Sequence, residues 1–136
     1  PGVNSMTDVT GFGLLGHALE IARGANLSVK LKFSSIPFLP KVEELARMGH
    51  ITGASTRNWN CYKKDITLDR NITLTQRNLL TDPQTSGGLL VSCDSNSVEE
   101  VLKIFHNQDF VNAAIIGEII VGASRVKVTN SNISEE

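Results

Sequence analysis

The sequence predicts an α+β fold in which helices pack on a mixed sheet. Apolar residues repeat at helical spacing over residues 14–22 and 98–105, whereas apolar and polar residues alternate strictly over 27–33. The first pattern is typical of a helix with one buried face, and the second is typical of a strand with one buried and one exposed face. Because both patterns occur in one short chain, we expect helices packed on a sheet.

The elements of the first half follow from these patterns. The first helix covers residues 14–22 and stops near Gly24 and Asn26, and the strand 27–33 follows. We expect a turn over 34–40, a short helix from Val42 to near Gly49, an extended loop over 50–64, and a strand from 66 to 74 that residues 69–71 interrupt. Pro1–Ser5 contains no obvious start of an element, so the chain resembles a piece of a longer protein.

The second half carries stronger signals. Residues 89–91 are expected to form a short buried strand after the Gly87-Gly88 pair. Ser97 and Glu100 have the spacing of a capping box in front of the helix that starts at Val98. The β-rich segments 113–121 and 125–128 are predicted to form a hairpin through residues 122–124. Residues 130–136 are polar and are expected to be a frayed tail.

Composition bounds the class of protein. The chain has 136 residues, of which 40% are apolar and 20% charged, so we expect one domain over residues 1–136. A formal charge of −1 gives no basic surface for nucleic acid or an anionic membrane, and no apolar run is long enough to span a bilayer. We therefore expect a cytoplasmic protein. Cys61 and Cys93 lack metal-site or redox spacing and are expected to be reduced, partly buried thiols.

Three polar clusters are candidates for chemistry. They are TDVTGFG at 7–13, GASTRN at 53–58 and TDPQTSGG at 81–88. In the first, glycines let backbone N–H groups approach an anion, and Asp8 could hold a hard cation such as Mg²⁺. Each cluster could equally be a helix cap or a turn, because caps and turns are built from the same residue types. Neither a Walker A loop nor a G-x-G-x-x-G motif is present.

Together and in this order, the clusters resemble those of one enzyme family. TDVTGFGLLGH at 7–17, GASTRN at 53–58 and DPQTSGGLL at 82–90 are similar to the C-terminal half of selenophosphate synthetase, or selenide, water dikinase. That family belongs to the wider superfamily of aminoimidazole ribonucleotide synthetase and thiamine-monophosphate kinase. The resemblance covers nearly the whole chain, and it implies a three-layer sandwich of helices around a mixed sheet.

The resemblance also implies an activity. The family forms selenophosphate from selenide, ATP and water, releases AMP and phosphate, requires Mg²⁺ and works as a homodimer. Its motif acid, which falls on Asp8, joins carboxylates of the N-terminal half in holding the metal. Thr7, Thr10, Gly11 and Gly13 would shape that loop. The candidate phosphate contacts in the interdomain cleft are Thr56, Arg57, Asn58, Thr85 and Ser86.

The family's nucleophile segment and ferredoxin-like N-terminal domain are not in this sequence. We therefore assign no catalytic residue within these 136 residues and expect them to be inactive alone. The alternatives are a folded module without catalysis, or a domain of a sister kinase or synthetase. The Asp82–Gly88 run disfavours the sister enzymes.

The histidines and the tryptophan have simpler interpretations. A lone His17 lacks the partners of a catalytic base, so we expect a solvated or interdomain structural role. His50 and His106 are expected at helix ends, where a cationic side chain suits the helix dipole. Trp59 could stack on a base, but we expect it to anchor the 50–64 loop.

Overall fold

The computed structural model describes residues 1–130. The strands are β1 (Val3–Asp8), β2 (Ser28–Lys32), β3 (Ile66–Leu68), β4 (Leu89–Cys93), β5 (Gly117–Ile120) and β6 (Val126–Thr129). The α-helices are α1 (Gly13–Ala25), α2 (Val42–Arg47), α3 (Gly53–Tyr62), α4 (Leu74–Thr81) and α5 (Val98–Asn107). The predicted α+β class, with helices packed on a mixed sheet, is confirmed. The tail predicted over 130–136 lies, beyond its first residue, outside the described residues.

Four strands form the mixed sheet in the order β3-β6-β2-β5. β6 is parallel to both β3 and β2, whereas β5 is antiparallel to β2. The predicted hairpin between β5 and β6 is therefore wrong, because β2 lies between them. Residues 121–125 are long enough to pass over one strand, since two strand spacings amount to about 10 Å. The chain bends at residues 121–124, but a local bend does not determine which strands pair.

β1 and β4 form a separate antiparallel pair, in which Asp8 faces Leu89 across the ladder. β1 was not predicted, because its two apolar residues, Val3 and Met6, are both exposed and leave no buried alternation. β4 lies where a strand was predicted, but Leu89 is 54% exposed and the rest of the strand is half-buried. The prediction of a buried strand is therefore wrong.

The hydrophobic core lies between α1 and the mixed sheet. α1 packs on β2 and β6 with one face and on α3 and α4 with another. The largest fully buried apolar side chains are Leu15, Leu19, Leu31, Leu80, Val126 and Val128. This burial explains the apolar repeat of α1 and the alternation of β2. α5 is a helix as predicted, although none of its residues is buried.

Two helices occupy segments that were not predicted to be helical. Residues 50–64 are not an extended loop, because α3 begins after Thr52, whose side chain accepts a hydrogen bond from the backbone of Ser55. α4 begins at Leu74 behind a capping box between Thr73 and Gln76. Both helices bury polar side chains together with apolar ones, so the apolar periodicity that reveals a helix in a sequence is weak.

Local signals elsewhere were also misleading. Ser97 makes no side-chain capping bond, since a short 3₁₀ turn precedes α5, so the predicted capping box is wrong. Cys61 and Cys93 are free thiols, but Cys61 is exposed rather than partly buried. Trp59 lies on α3, half-buried under the Arg77 guanidinium at 5.0 Å. No helix within residues 1–130 has both the length and the apolar character needed to cross a bilayer.

Candidate functional site

Pairing of β1 with β4 brings the first and third polar clusters together. The ladder continues beyond the strands, where the Val9 N–H donates to the Gly88 carbonyl at 2.9 Å. The Gln84 N–H donates to the Thr10 carbonyl at 3.0 Å. A Cβ at Gly87 would collide with the Val9 carbonyl oxygen, so this close approach requires glycine.

The second cluster reaches the same loop from α3. The Asn58 amide donates to the Gly11 carbonyl at 2.8 Å and to the Thr81 carbonyl at 3.0 Å. The Tyr62 hydroxyl donates to the Phe12 carbonyl at 2.8 Å. The carbonyls of Thr10, Gly11 and Phe12 are therefore all bonded to the protein. Residues of all three sequence clusters therefore meet around this loop.

The loop that joins β1 to α1 leaves two backbone donors open. Within residues 1–130, no acceptor binds the N–H groups of Gly11 and Phe12. They lie at the N-terminus of α1, where the helix dipole favours an anion. Gly13 has a φ of 68°, and a Cβ there would lie 2.8 Å from the Thr81 carbonyl carbon. Glycine is thus needed where the loop passes α4.

Behind the loop is a network of buried hydroxyl and amide groups. The Ser55 and Thr81 hydroxyls are 2.6 Å apart, and Ser55 also donates to the Asn78 carbonyl at 3.2 Å. Ser55 and Thr81 are almost completely inaccessible to solvent. Buried polar groups are stable only when they are hydrogen-bonded, and these bonds tie α3 to α4. Ser55 and Thr81 lie within the candidate clusters but were not predicted as site residues, and sequence reasoning missed Tyr62 and Asn78 altogether, because the partners of all four are distant in sequence.

The predicted site residues fall into two groups. Asn58 is only 9% exposed, and both its amide hydrogens are donated to backbone carbonyls. It therefore has no donor left for a phosphate and instead holds the loop. The other side chains predicted to contact phosphate are exposed, on α3 or in the turn before β4; they are Thr56, Arg57, Thr85 and Ser86. Among the described residues, no side-chain bond joins these four to the loop.

Two titratable groups near the loop have shifted pKa values. Burial raises the pKa of the Asp82 carboxyl, and a 3.5 Å hydrogen bond from Thr52 opposes part of that rise. Burial likewise raises the pKa of the Tyr62 hydroxyl, so this group keeps its proton and remains a donor to the Phe12 carbonyl. Asp82 belongs to the third cluster, although it was not predicted as a site residue.

His17 is buried, so of its two predicted roles, solvated or interdomain, the solvated one is wrong. It is 7% exposed, and its ring contacts Thr10 through one nitrogen and Glu20 through the other. The helical pattern placed it opposite much of the apolar face, but the β1–α1 loop folds over that side of the helix. His50 and His106 lie at or just beyond the ends of α2 and α5, as predicted.

Asp8 is the residue that could hold a metal. It ends β1, its side chain is exposed, and among the described residues no ion pair engages it. A free carboxylate is the oxygen ligand that Mg²⁺ prefers. No group of three His, Cys, Asp or Glu side chains within residues 1–130 could hold a metal ion. Asp8 could therefore supply one ligand of a metal site. The other ligands would have to come from a substrate or from another part of a longer protein.

Comparison with known sequences reveals close relatives. Residues 1–129 match the family described as AIR synthase related protein, C-terminal domain. A selenide, water dikinase of Paraburkholderia xenovorans is 54% identical over 127 residues, and one of Pseudomonas straminea is 53% identical over 127 residues. Each match covers 93% of this chain and 36% of the relative. The chain thus spans little more than a third of the length of these curated relatives.

Solved structures share the fold at lower identity. Escherichia coli HypE, a hydrogenase maturation protein, matches with a TM-score of 0.66 and 19% identity over 94% of this chain and 32% of that chain. A chain of the HypE–HypF complex matches with a TM-score of 0.68 and 15% identity, covering 96% of this chain and 34% of that one. At these identities the likeness concerns the fold alone.

Proposed function

Since the chain belongs to the family of AIR synthase related C-terminal domains, we propose that it is the C-terminal domain of a selenide, water dikinase. In this proposal the full-length protein forms selenophosphate from selenide, ATP and water and releases AMP and phosphate. The relatives that carry this name, at 54% and 53% identity, support the choice over a sister kinase or synthetase.

The convergence of the three clusters on one loop is the observation that carries the proposal. Asn58, Tyr62 and the Gln84 backbone bind the three loop carbonyls, so the peptide groups of the loop are held in one orientation. That orientation leaves the N–H groups of Gly11 and Phe12 available to bind phosphate oxygens. A loop fixed before substrate arrives stabilises charge without having to reorganise during the reaction.

Asp8 would supply this chain's ligand to Mg²⁺. When bound, the ion would neutralise the charge on the phosphates of ATP during phosphoryl transfer. The role of Asp8 is then to hold an oxygen ligand beside the loop, two residues before Thr10. Carboxylates of an N-terminal half would complete the site.

The remaining parts of the proposal concern the whole protein. An N-terminal half would contain the nucleophile, the selenide site and most of the ATP site. The full-length protein would be a cytoplasmic homodimer. The 136 residues alone would be inactive. Thr56, Arg57, Thr85 and Ser86 are exposed and remain candidates for contacts with ATP phosphates across the domain cleft.

An assay of the full-length protein tests the proposed function. Purified protein should release AMP from ATP·Mg²⁺ only when selenide is present, and phosphorus NMR should detect selenophosphate. Replacing selenide by sulfide provides a control for nonspecific hydrolysis. AMP release that is independent of selenide, or no AMP at all, would contradict the assignment to a selenide, water dikinase.

A further inference from the structure

A buried histidine bridges the phosphate loop and an exposed carboxylate. His17 Nε2 lies 3.2 Å from Thr10 Oγ1, and His17 Nδ1 lies 2.9 Å from Glu20 Oε2. The His17 side chain is 8% exposed, whereas that of Glu20 is 52% exposed. An imidazole with a partner on each nitrogen has a fixed ring orientation, and the two nitrogens then have different roles.

The carboxylate determines where the imidazole carries hydrogen. An ionised Glu20 only accepts, so Nδ1 is the donor and holds a hydrogen in both charge states of the ring. In neutral His17, Nε2 accepts the hydrogen of the Thr10 hydroxyl, and Thr10 presents only lone pairs to the cleft. In protonated His17, Nε2–H donates to Thr10 Oγ1, and the hydroxyl hydrogen becomes available to another acceptor.

We propose that His17 is a positioning residue that turns the Thr10 hydroxyl into a hydrogen-bond donor by taking up a proton when phosphate binds. This inference rests on the proposed function, because it concerns the same loop. One proton from solvent adds at Nε2, while Thr10 remains a hydroxyl throughout. Thr10 then donates alongside the open N–H groups of Gly11 and Phe12, and Glu20 stabilises the imidazolium charge.

The surroundings of His17 contain few other charges. The elements that pack against α1 carry Asp8 at the end of β1, Arg57 and Tyr62 on α3, and Arg77 on α4, with Asp82 directly after α4. Tyr62 stays protonated, since burial raises its pKa. Below α1, β2 and β6 bury only uncharged side chains: Val29, Leu31, Val126, Val128 and Thr129. Glu20 is the carboxylate in direct contact with the imidazole.

Proton uptake on nucleotide binding tests the proposal. The full-length protein is titrated with the Mg²⁺ complex of the β,γ-methylene analogue of ATP, by calorimetry in two buffers of different ionisation enthalpy. The test variant is His17→Gln, whose amide can still bond Thr10 but does not titrate. The matched control is His106→Gln, which alters an exposed histidine at the end of α5.

Wild-type protein and the control should take up more proton per bound nucleotide than His17→Gln. Because binding takes up a proton, affinity should fall as the pH rises, by up to about tenfold per pH unit. This fall should be absent in His17→Gln. Thr10→Val should also abolish it, and combining the two changes should add no further loss, because both act through one hydrogen bond.

Two further measurements keep the test decisive. Glu20→Gln changes an exposed position and retains an acceptor for Nδ1–H. Because it removes the negative charge that stabilises the imidazolium, proton uptake should move to lower pH. Nitrogen NMR of His17 should show hydrogen on Nδ1 before nucleotide is added and on both nitrogens afterwards.

Equal proton uptake by wild-type, His17→Gln and Thr10→Val would overturn the positioning role, even if selenide-dependent AMP release were observed. A wild-type protein that binds no nucleotide would overturn the proposed function and this inference with it.

Discussion

Single side chains hold the candidate site by binding the backbone of its loop. Asn58 and Tyr62 donate to carbonyls that would otherwise lie unpaired beside the buried end of α1. Within residues 1–130, the one buried side-chain polar atom without a partner is Arg77 Nε, whose guanidinium lies over Trp59. Because side chains bind the loop carbonyls in this way, we expect the loop to be rigid before any ligand binds.

Asp8→Asn tests the metal role in the full-length protein. The substitution removes the negative charge of a metal ligand, so turnover should fall by at least about a hundredfold. A loss of that size is the largest usually seen for residues that only orient a metal ligand. The melting temperature should be unchanged, because Asp8 is exposed. AMP release and calorimetry measure the two effects. Asp109→Asn, at an exposed site with a φ of 67°, is the control. Near-wild-type activity in Asp8→Asn would exclude the metal role.

Asn58→Asp tests the loop anchor. The new side chain cannot donate to the Gly11 and Thr81 carbonyls, and leaving buried groups unpaired costs about 1–3 kcal/mol each. The free energy of unfolding should therefore fall by at least about 2 kcal/mol in a urea titration. Asn60→Asp makes the same change at an exposed position of α3 and should have little effect. Equal stability of the two variants would show that Asn58 does not anchor the loop.

Asp82 should make stability depend on pH. Its folded pKa is raised by burial, so the folded state holds this proton more tightly than the unfolded chain does. The stabilisation that this bound proton provides is fully present below the ordinary pKa of 3.8. It is lost as the pH rises through the raised pKa of the folded state. Asp82→Asn stays neutral and can still accept from Thr52, so it should be more stable than wild-type at neutral pH.

Thermal unfolding at several pH values checks this expectation. The difference between Asp82→Asn and wild-type should shrink as the medium becomes acidic, and Asp109→Asn should show no such trend. A variant less stable than wild-type at neutral pH would mean that the ionised Asp82 carboxylate is stabilising.

At the scale of elements, α3 and α4 depend on polar contacts. Thr52 is the N-cap of α3 and Thr73 is the N-cap of α4. The side chain of each accepts a hydrogen bond from the backbone N–H of the third residue of its helix. Their polar faces meet through the Ser55–Thr81 contact. These helices place Asn58 and Tyr62 under the loop, so their stability determines how well the site is formed.

Three alanine variants compare the caps of these helices. Thr52→Ala and Thr73→Ala should each lower the free energy of unfolding by about 1 kcal/mol, the usual value for a lost N-cap. Ser97→Ala should be nearly neutral, because Ser97 makes no capping bond in front of α5. Denaturant titration measures all three. If Ser97→Ala were as destabilising as Thr73→Ala, the capping box expected from the sequence would exist after all.

At the scale of the whole molecule, the apolar core and the candidate site are separate. The core lies between α1 and the mixed sheet, whereas the site lies at the end of β1, where α1, α3 and the turn before β4 meet. α1 belongs to both, since its apolar face packs on β2 and β6 and its N-terminus borders the loop.

The 136 residues should therefore fold alone and be inactive. A core of this size supports one cooperative unfolding transition, which scanning calorimetry would detect. Asp8 alone gives too few ligands for hydrated Mg²⁺, which relies on substrate phosphates and further carboxylates. AMP release by the isolated chain and the full-length protein should be assayed in parallel. Comparable rates would show that the active site does not need an N-terminal half.

The sequence by itself determined the elements whose signal is local. The repeat of α1 and the alternation of β2 could be predicted because both place one apolar face on the core, and such periodicity is visible within a dozen residues. The three clusters and Asp8 could be identified for the same reason, since each is a short run of residues. The exposed strand β1 and the polar helices α3 and α4 have no such periodicity.

Only the tertiary structure decided how these elements meet. Asp8 faces Leu89 across the ladder, and Asn58 binds Gly11, so the partners are tens of residues apart. β2 separates β5 from β6, and the β1–α1 loop covers His17. No short stretch of sequence encodes these contacts. Nearly every residue offers the same backbone N–H and C=O groups, so these groups alone do not specify which distant segments pair. Burial against distant segments selects among the pairings that they allow.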